Sequence, residues 1–258
     1  MVFLMTNDSY TKLKFFDHWP DSFLTPILAD DEVHVWAVET LSHVHKLSQL
    51  RCYLADDEIE RANRFHFDTH RHRFVILRGI LRCLLADYSG QAPADLRFWY
   101  NEQGKPYLQP KSQSIMFNLS HSGEIALYAF SYQREIGVDI ERSSGRVSYL
   151  QIAKRFFSAS EQEILRSLPD HEKQAAFFAC WSRKEAYIKA KGLGLSLPLD
   201  SFDVSLRPNE PAKLLASCNY PTDVKRWRMS NLDVADGYAA AVVVAGQDWR
   251  IKSWRYVV

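Results

Sequence analysis

Residues 32–38 (EVHVWAV) alternate apolar and polar side chains, the period of a strand with one buried face. Two helical stretches are expected next, over roughly 41–52 and 55–66. In the run DTHRHRFVILRGILRCLLADY, Phe74, Leu77, Leu81, Leu84 and Tyr88 recur at spacings of three and four and mark one apolar helix face. Arg71, Arg73, Arg78 and Arg82 fall on the other face, Asp68 or Thr69 stands where an N-cap belongs, and Gly90 follows the last turn. Strands are expected at 97–100, 115–119, 124–131 and 136–141, with a turn at Gln103-Gly104-Lys105-Pro106 and a tight connection at Ser120-His121-Ser122-Gly123. The polar run RSSGRVS from residue 142 is a candidate boundary between halves 1–142 and 143–258. Helices then dominate to about residue 192: Ser158-x-x-Glu161 is a capping-box pattern, and a long helix over roughly 170–191 carries Phe178, Trp181, Tyr187 and Ile188 before Gly192 and Gly194. Strands return in SFDVSLR, KRWRMSNL, GYAAAVVVAG and WRIKSWRYVV. Both halves thus mix helices and strands in a similar order.

Composition narrows the function classes. Of 258 residues, 47% are hydrophobic and 13% aromatic, enough for a sizeable core. A net charge of +1 disfavours non-specific nucleic-acid binding. Cys52, Cys83, Cys180 and Cys218 form no C-x-x-C pair and read as reduced, mostly buried thiols rather than metal ligands. Met1–Tyr10 lacks the basic and apolar regions of a signal peptide, and no apolar run is long enough to span a bilayer, so the cytoplasm is the expected compartment.

Asp139 and Glu141 flank Ile140 in the apolar run Ile136–Glu141, so both carboxylates share one strand face. Two such charges suit a hard divalent cation, or simply a strand end emerging into water. Glu185 and Lys189 are helical neighbours at i, i+4, which fits a surface ion pair as well as a site. Gly104-Lys105-Pro106 holds a lysine at a turn, where it meets either phosphate or solvent. Ser120-His121-Ser122-Gly123 offers hydroxyls, an imidazole and N–H groups suited to phosphate or ribose. Arg61, Arg64, Arg71, Arg73, Arg78 and Arg82 supply donors for a phosphomonoester, most of them expected at the surface. No G-x-S-x-G, P-loop, dinucleotide fingerprint or H-E-x-x-H is present.

The order of these signals is more specific than any one of them. Gly104-Lys105-Pro106, Asn118-Leu119-Ser120-His121-Ser122, Gly137-Val138-Asp139-Ile140-Glu141, Phe156-Phe157-Ser158, Trp181-Ser182-Arg183-Lys184-Glu185-Ala186-Tyr187-Ile188-Lys189 and Gly192-Leu193-Gly194-Leu195 follow one another. This series, covering roughly residues 60–205, resembles the 4′-phosphopantetheinyl transferase superfamily in its larger, surfactin-synthetase-activating class. The resemblance implies an α+β fold: a pseudo-twofold pair of similar halves, each with an antiparallel sheet against helices, with coenzyme A in the cleft between them. It implies a monomer that moves 4′-phosphopantetheine from coenzyme A to a serine of an acyl or peptidyl carrier protein. It implies magnesium, with manganese as the alternative, on Asp139, Glu141 and Glu185. Coenzyme A contacts would come from Arg61 (toward the 3′-phosphate), Lys105, Pro106, Ser120, His121, Asp139, Lys184, Glu185 and Lys189. Asp139, Glu185 and Lys189 would carry the catalysis, with Glu185 as base toward the serine, directly or through a water. The carrier would dock near the 142–160 segment and the helices that follow it. A coenzyme A-dependent acyltransferase, which needs no metal at the pyrophosphate, a non-catalytic binding module and a purely structural protein are the rival expectations.

Overall fold

A computed structural model describes residues 19–22, 25–109, 114–143 and 148–257. Met1–Tyr10 and most of the RSSGRVS link lie outside the described residues. The chain opens with β1 (Asp21–Ser22) and β2 (Glu32–Glu39), followed by a 3-10 segment, Thr40–Lys46. Then come α1 (Leu47–Cys52), α2 (Asp56–Asn63), α3 (Asp68–Ser89), β3 (Arg97–Tyr100), β4 (Pro106–Gln109), β5 (Ile115–Ser122), β6 (Ile125–Tyr132) and β7 (Ile136–Arg142). After the link stand α4 (Tyr149–Phe156), α5 (Ala159–Ser167), α6 (Asp170–Lys191), β8 (Phe202–Val204), β9 (Leu214–Ser217), α7 (Asp223–Arg226), β10 (Trp227–Asn231), β11 (Tyr238–Ala245) and β12 (Arg250–Tyr256).

Two sheets lie between two long helices. The larger has the order β1-β12-β2-β6-β5 and the smaller β10-β11-β7, while β3-β4 and β8-β9 are separate two-stranded ribbons. Alternation along the strands builds three apolar layers. Trp36, Tyr128 and Phe130 meet Leu77, Ile80, Leu81 and Leu84 of α3 on the outer face of the larger sheet. Val33, Val35 and Leu127 on its inner face meet Val138, Ile140, Val242 and Val244 of the smaller sheet. The smaller sheet's other face, with Ala241, Val243 and Trp227, takes Phe177, Ala186, Tyr187 and Ala190 of α6.

The sheets do not follow the division at residue 142. β7 belongs to a sheet with β10 and β11, and β12, from the far end of the chain, pairs in parallel with both β1 and β2. The larger sheet is therefore not wholly antiparallel. Local signals fare better. α3 ends on Gly90 at φ +70° and α6 on Gly192 at φ +68°, the left-handed stops that glycine adopts without strain. Ser158 accepts the Glu161 N–H at 3.2 Å while Glu161 accepts the Ser158 N–H at 3.0 Å, closing the capping box. The N-cap of α3 is Phe67, with no side-chain cap, so Asp68 and Thr69 lie inside the helix. Of the cysteines, Cys180 is buried, Cys83 half-buried, and Cys52 and Cys218 are exposed, against the expectation of mostly buried thiols. No described helix is long and apolar enough to cross a membrane.

Candidate active site

The site is built where β7 lies against α6. A Cβ added to Gly137 would stand 2.1 Å from the Ala186 carbonyl oxygen and 2.3 Å from the Ala190 nitrogen. Only glycine lets strand and helix backbones touch there, and the small Ala186 and Ala190 complete the fit. Asp139 and Glu141 follow Gly137 on the same strand face, so they too look toward α6. Trp181, Glu185 and Lys189 rise along that helix at intervals of four.

Asp139 is buried, at 3% exposure. Its Oδ1 accepts from Lys189 Nζ at 2.6 Å and from the Ser120 hydroxyl at 2.9 Å, and Lys189 also donates to Ser120 Oγ at 2.9 Å. Its Oδ2 is buried with no hydrogen-bond partner. Burial pushes the Asp139 carboxyl above its ordinary range, opposed by Lys189 and Ser120. Burial, then the neighbouring Asp139 charge, push Glu141 up to about 7. The same two causes raise Glu185. Glu141 and Glu185 form no ion pair among the described residues, whereas Lys189 is already engaged with Asp139.

These residues meet one requirement of a hard divalent cation and leave another open. A bare, buried Asp139 oxygen beside two carboxylates without ion-pair partners is an all-oxygen donor set short of positive charge, which magnesium or manganese would supply. The three are not gathered as a ready-made cage: among the described residues no cluster of three His, Cys, Asp or Glu side chains has that geometry.

A cavity of about 480 Å³ opens on the other side of β5. Arg61, Pro106 and His121 line it together with Phe74, Leu119 and Tyr100. Arg61 lies over the Phe74 ring at 5.3 Å, and no described carboxylate pairs with it. Partial burial, then the Arg73 and Lys189 charges, hold the His121 imidazole below its ordinary value. The cavity thus offers a cation, an imidazole and aromatic walls.

Two expected contacts stand elsewhere. Lys105 is buried, and its ammonium donates to Glu135 Oε2 at 3.0 Å, the Ile136 carbonyl at 3.1 Å and the Ala190 carbonyl at 2.9 Å. All three protons are spent pinning the β3-β4 turn to β7 and α6, and none is left for a phosphate. Lys184 is fully buried on another face of α6, pairing with Glu161 at 2.8 Å and donating to the Leu199 and Phe202 carbonyls. Its side chain points into the core. Of the six arginines, most of which were expected at the surface, Arg78 and Arg82 are buried and share Glu58, with Arg82 Nε at 2.6 Å from Oε2. Missed in the sequence were Gly137 as the contact point, and Asn118 and Ser122, which bond to β7. Their i, i+2, i+4 spacing with Ser120 was the available signal.

Residues 135–243 match the model of the 4′-phosphopantetheinyl transferase superfamily, and residues 42–133 match the 4′-phosphopantetheinyl transferase N-terminal model. The 4′-phosphopantetheinyl transferase HetI of Nostoc sp. is 42% identical over 231 residues, covering 89% of this chain and 94% of that one. The 4′-phosphopantetheinyl transferase Sfp of Bacillus subtilis is 34% identical over 198 residues, covering 76% and 84%. The human L-aminoadipate-semialdehyde dehydrogenase-phosphopantetheinyl transferase is 32% identical over 162 residues, covering 59% and 52%. With two family models matching along most of its length and relatives at 34–42% identity, this chain belongs to the 4′-phosphopantetheinyl transferase superfamily and is an enzyme of that class.

Proposed function

We propose that the protein transfers the 4′-phosphopantetheine moiety of coenzyme A to a serine of an apo carrier protein and releases adenosine 3′,5′-bisphosphate. The observation that carries this reading is Asp139: one oxygen is held by Lys189 and Ser120, and the other is buried and bare beside Glu141 and Glu185. In the reaction the serine oxygen bonds to the β-phosphorus of coenzyme A. The phosphoanhydride bond breaks, and the electron pair leaves with the adenosine bisphosphate. The serine proton must pass to a base. Glu185, held protonatable by burial and by the Asp139 charge, suits that task directly or through a water. Lys189 brings a positive charge to the phosphate under attack or to the leaving group, and Arg61 and His121 receive the nucleotide end in the cavity beside Pro106. Asp139, Glu141 and Glu185 would hold magnesium or manganese, which when bound supplies charge neutralisation at the pyrophosphate. Most of the remaining work is positioning, as phosphoryl transfer requires.

Carriers of fatty-acid, polyketide and nonribosomal peptide synthesis are the substrate class, met near 142–160, of which α4 lies among the described residues. We take the enzyme to act as a monomer in the cytoplasm. The test is intact-mass spectrometry of several apo carriers incubated with coenzyme A and magnesium, with and without a chelator. A gain of one phosphopantetheine, abolished by chelation and restored by metal, is expected. No gain on any carrier overturns the reading, and a gain indifferent to chelation overturns the metal assignment.

A further inference from the structure

β5 and β7 run side by side but belong to different sheets. Side chains of β5, rather than a backbone ladder, make the bonds between them. Asn118 Oδ1 accepts the Val138 N–H at 2.9 Å. Ser120 donates to Asp139 Oδ1 at 2.9 Å. Ser122 Oγ accepts the Arg142 N–H at 3.0 Å and lies 3.3 Å from Glu141 Oε2. The one Ser122 proton points at Glu141 while an oxygen lone pair takes the Arg142 N–H. Positions 118, 120 and 122 share one strand face, whereas Leu119 and His121 alternate to the cavity side. One strand thus faces the nucleotide cavity with one set of side chains and grips the carboxylate strand with the other.

We propose that Asn118 and Ser122 are positioning residues: they set the register of β7 against β5, and with it the placement of Asp139 and Glu141 relative to the cavity. Asn118 acts through the backbone of Val138, next to Asp139. Ser122 acts on the Glu141 carboxylate itself. Neither is assigned to coenzyme A. The proposal rests on the reading of Asp139 and Glu141 given under the proposed function.

The test compares wild type with Ser122→Ala, Ser122→Thr and Asn118→Ala in three assays. These are transfer to an apo carrier, Mn2+ binding by electron paramagnetic resonance, and adenosine 3′,5′-bisphosphate binding by calorimetry without metal. Removing a group that orients a metal ligand costs on the order of tenfold in metal affinity or activity. Ser122→Ala should therefore lose about tenfold in Mn2+ affinity and in kcat. Its KM for coenzyme A and its nucleotide affinity should stay near wild type, and Ser122→Thr, which keeps the hydroxyl, should recover both losses. Asn118→Ala, checked for folding by circular dichroism, should show the same split. Wild-type kcat and Mn2+ affinity in Ser122→Ala overturn the proposal, as does a loss that Ser122→Thr fails to recover or that falls equally on nucleotide binding. Wild-type enzyme that modifies no carrier overturns the functional reading and this proposal with it.

Discussion

Lys184 and Lys189 stand on the same helix, and each pairs with a buried carboxylate, yet the two pairs are opposite in kind. Lys184 and Glu161 are closed. Glu161 accepts from Lys184, from Ser158 N–H and from Val204 N–H, and Lys184 also reaches two carbonyls. Asp139 and Lys189 are open: Asp139 Oδ2 has no donor, and Glu141 and Glu185 crowd the same region without ion-pair partners. A buried carboxylate with every lone pair answered holds a fold together. One left short of donors is ready for a ligand, and its cost to stability has to be carried by the rest of the structure. The same contrast separates Glu32, held by His34, Arg250 and Lys252, from the site carboxylates.

Breaking each kind of pair should give a different readout. Asp139→Ala should cut transfer on the order of 10³-fold while the far-ultraviolet spectrum and melting temperature stay close to wild type, measured by carrier mass gain and by thermal denaturation. Lys184→Met should do the reverse. It leaves Glu161 buried without its cation and should lower stability by about 3–5 kcal/mol, read by urea unfolding, with the KM for coenzyme A of the folded fraction unchanged. Lys105→Met separates the buried turn lysine from a phosphate ligand: a loss of about 1–3 kcal/mol with unaltered nucleotide affinity is expected, and weakened nucleotide binding at full stability would return Lys105 to the site. Arg61→Ala should weaken adenosine 3′,5′-bisphosphate binding by about tenfold in calorimetry without moving the melting temperature.

The smallest effect at neutral pH is that of Glu32 titration. Hydrogen bonds from Lys252 and His34 hold its carboxyl down to about 2 in the folded protein. Its ordinary value of 4.5 belongs to the unfolded chain, which therefore takes the proton first as pH falls. Stability from Glu32 is thus complete above that value and is lost toward pH 2. Acid unfolding followed by fluorescence should show this slope in wild type and not in Glu32→Gln.

The parts legible in the sequence were those with local causes. The period of Phe74 to Tyr88, the glycine stops at Gly90 and Gly192 and the Ser158–Glu161 box each act within a few residues, and each appears in the structure. The pairing of β12 with β2 joins the end of the chain to its beginning, and nothing in either segment specifies it. The short partners β4 and β9 carry too few alternating positions to be read. In the site, spacing alone brought Asp139 and Glu141 to one face. It could not sort Lys189 from Lys184, because α6 is buried on several faces and periodicity does not say which face meets β7. The burial of Lys105 was not legible for a related reason: a turn residue is expected in water, and here the turn is covered by β7 and α6.

The most direct measurement is intact-mass spectrometry of one apo carrier after incubation with coenzyme A, magnesium and either wild type, Asp139→Ala or Lys184→Met, each at matched folded concentration. Wild type and Lys184→Met should add one phosphopantetheine to the carrier, and Asp139→Ala should add essentially none. Equal modification by Asp139→Ala and wild type would contradict the claim that the open carboxylate, rather than the closed one, does the chemistry.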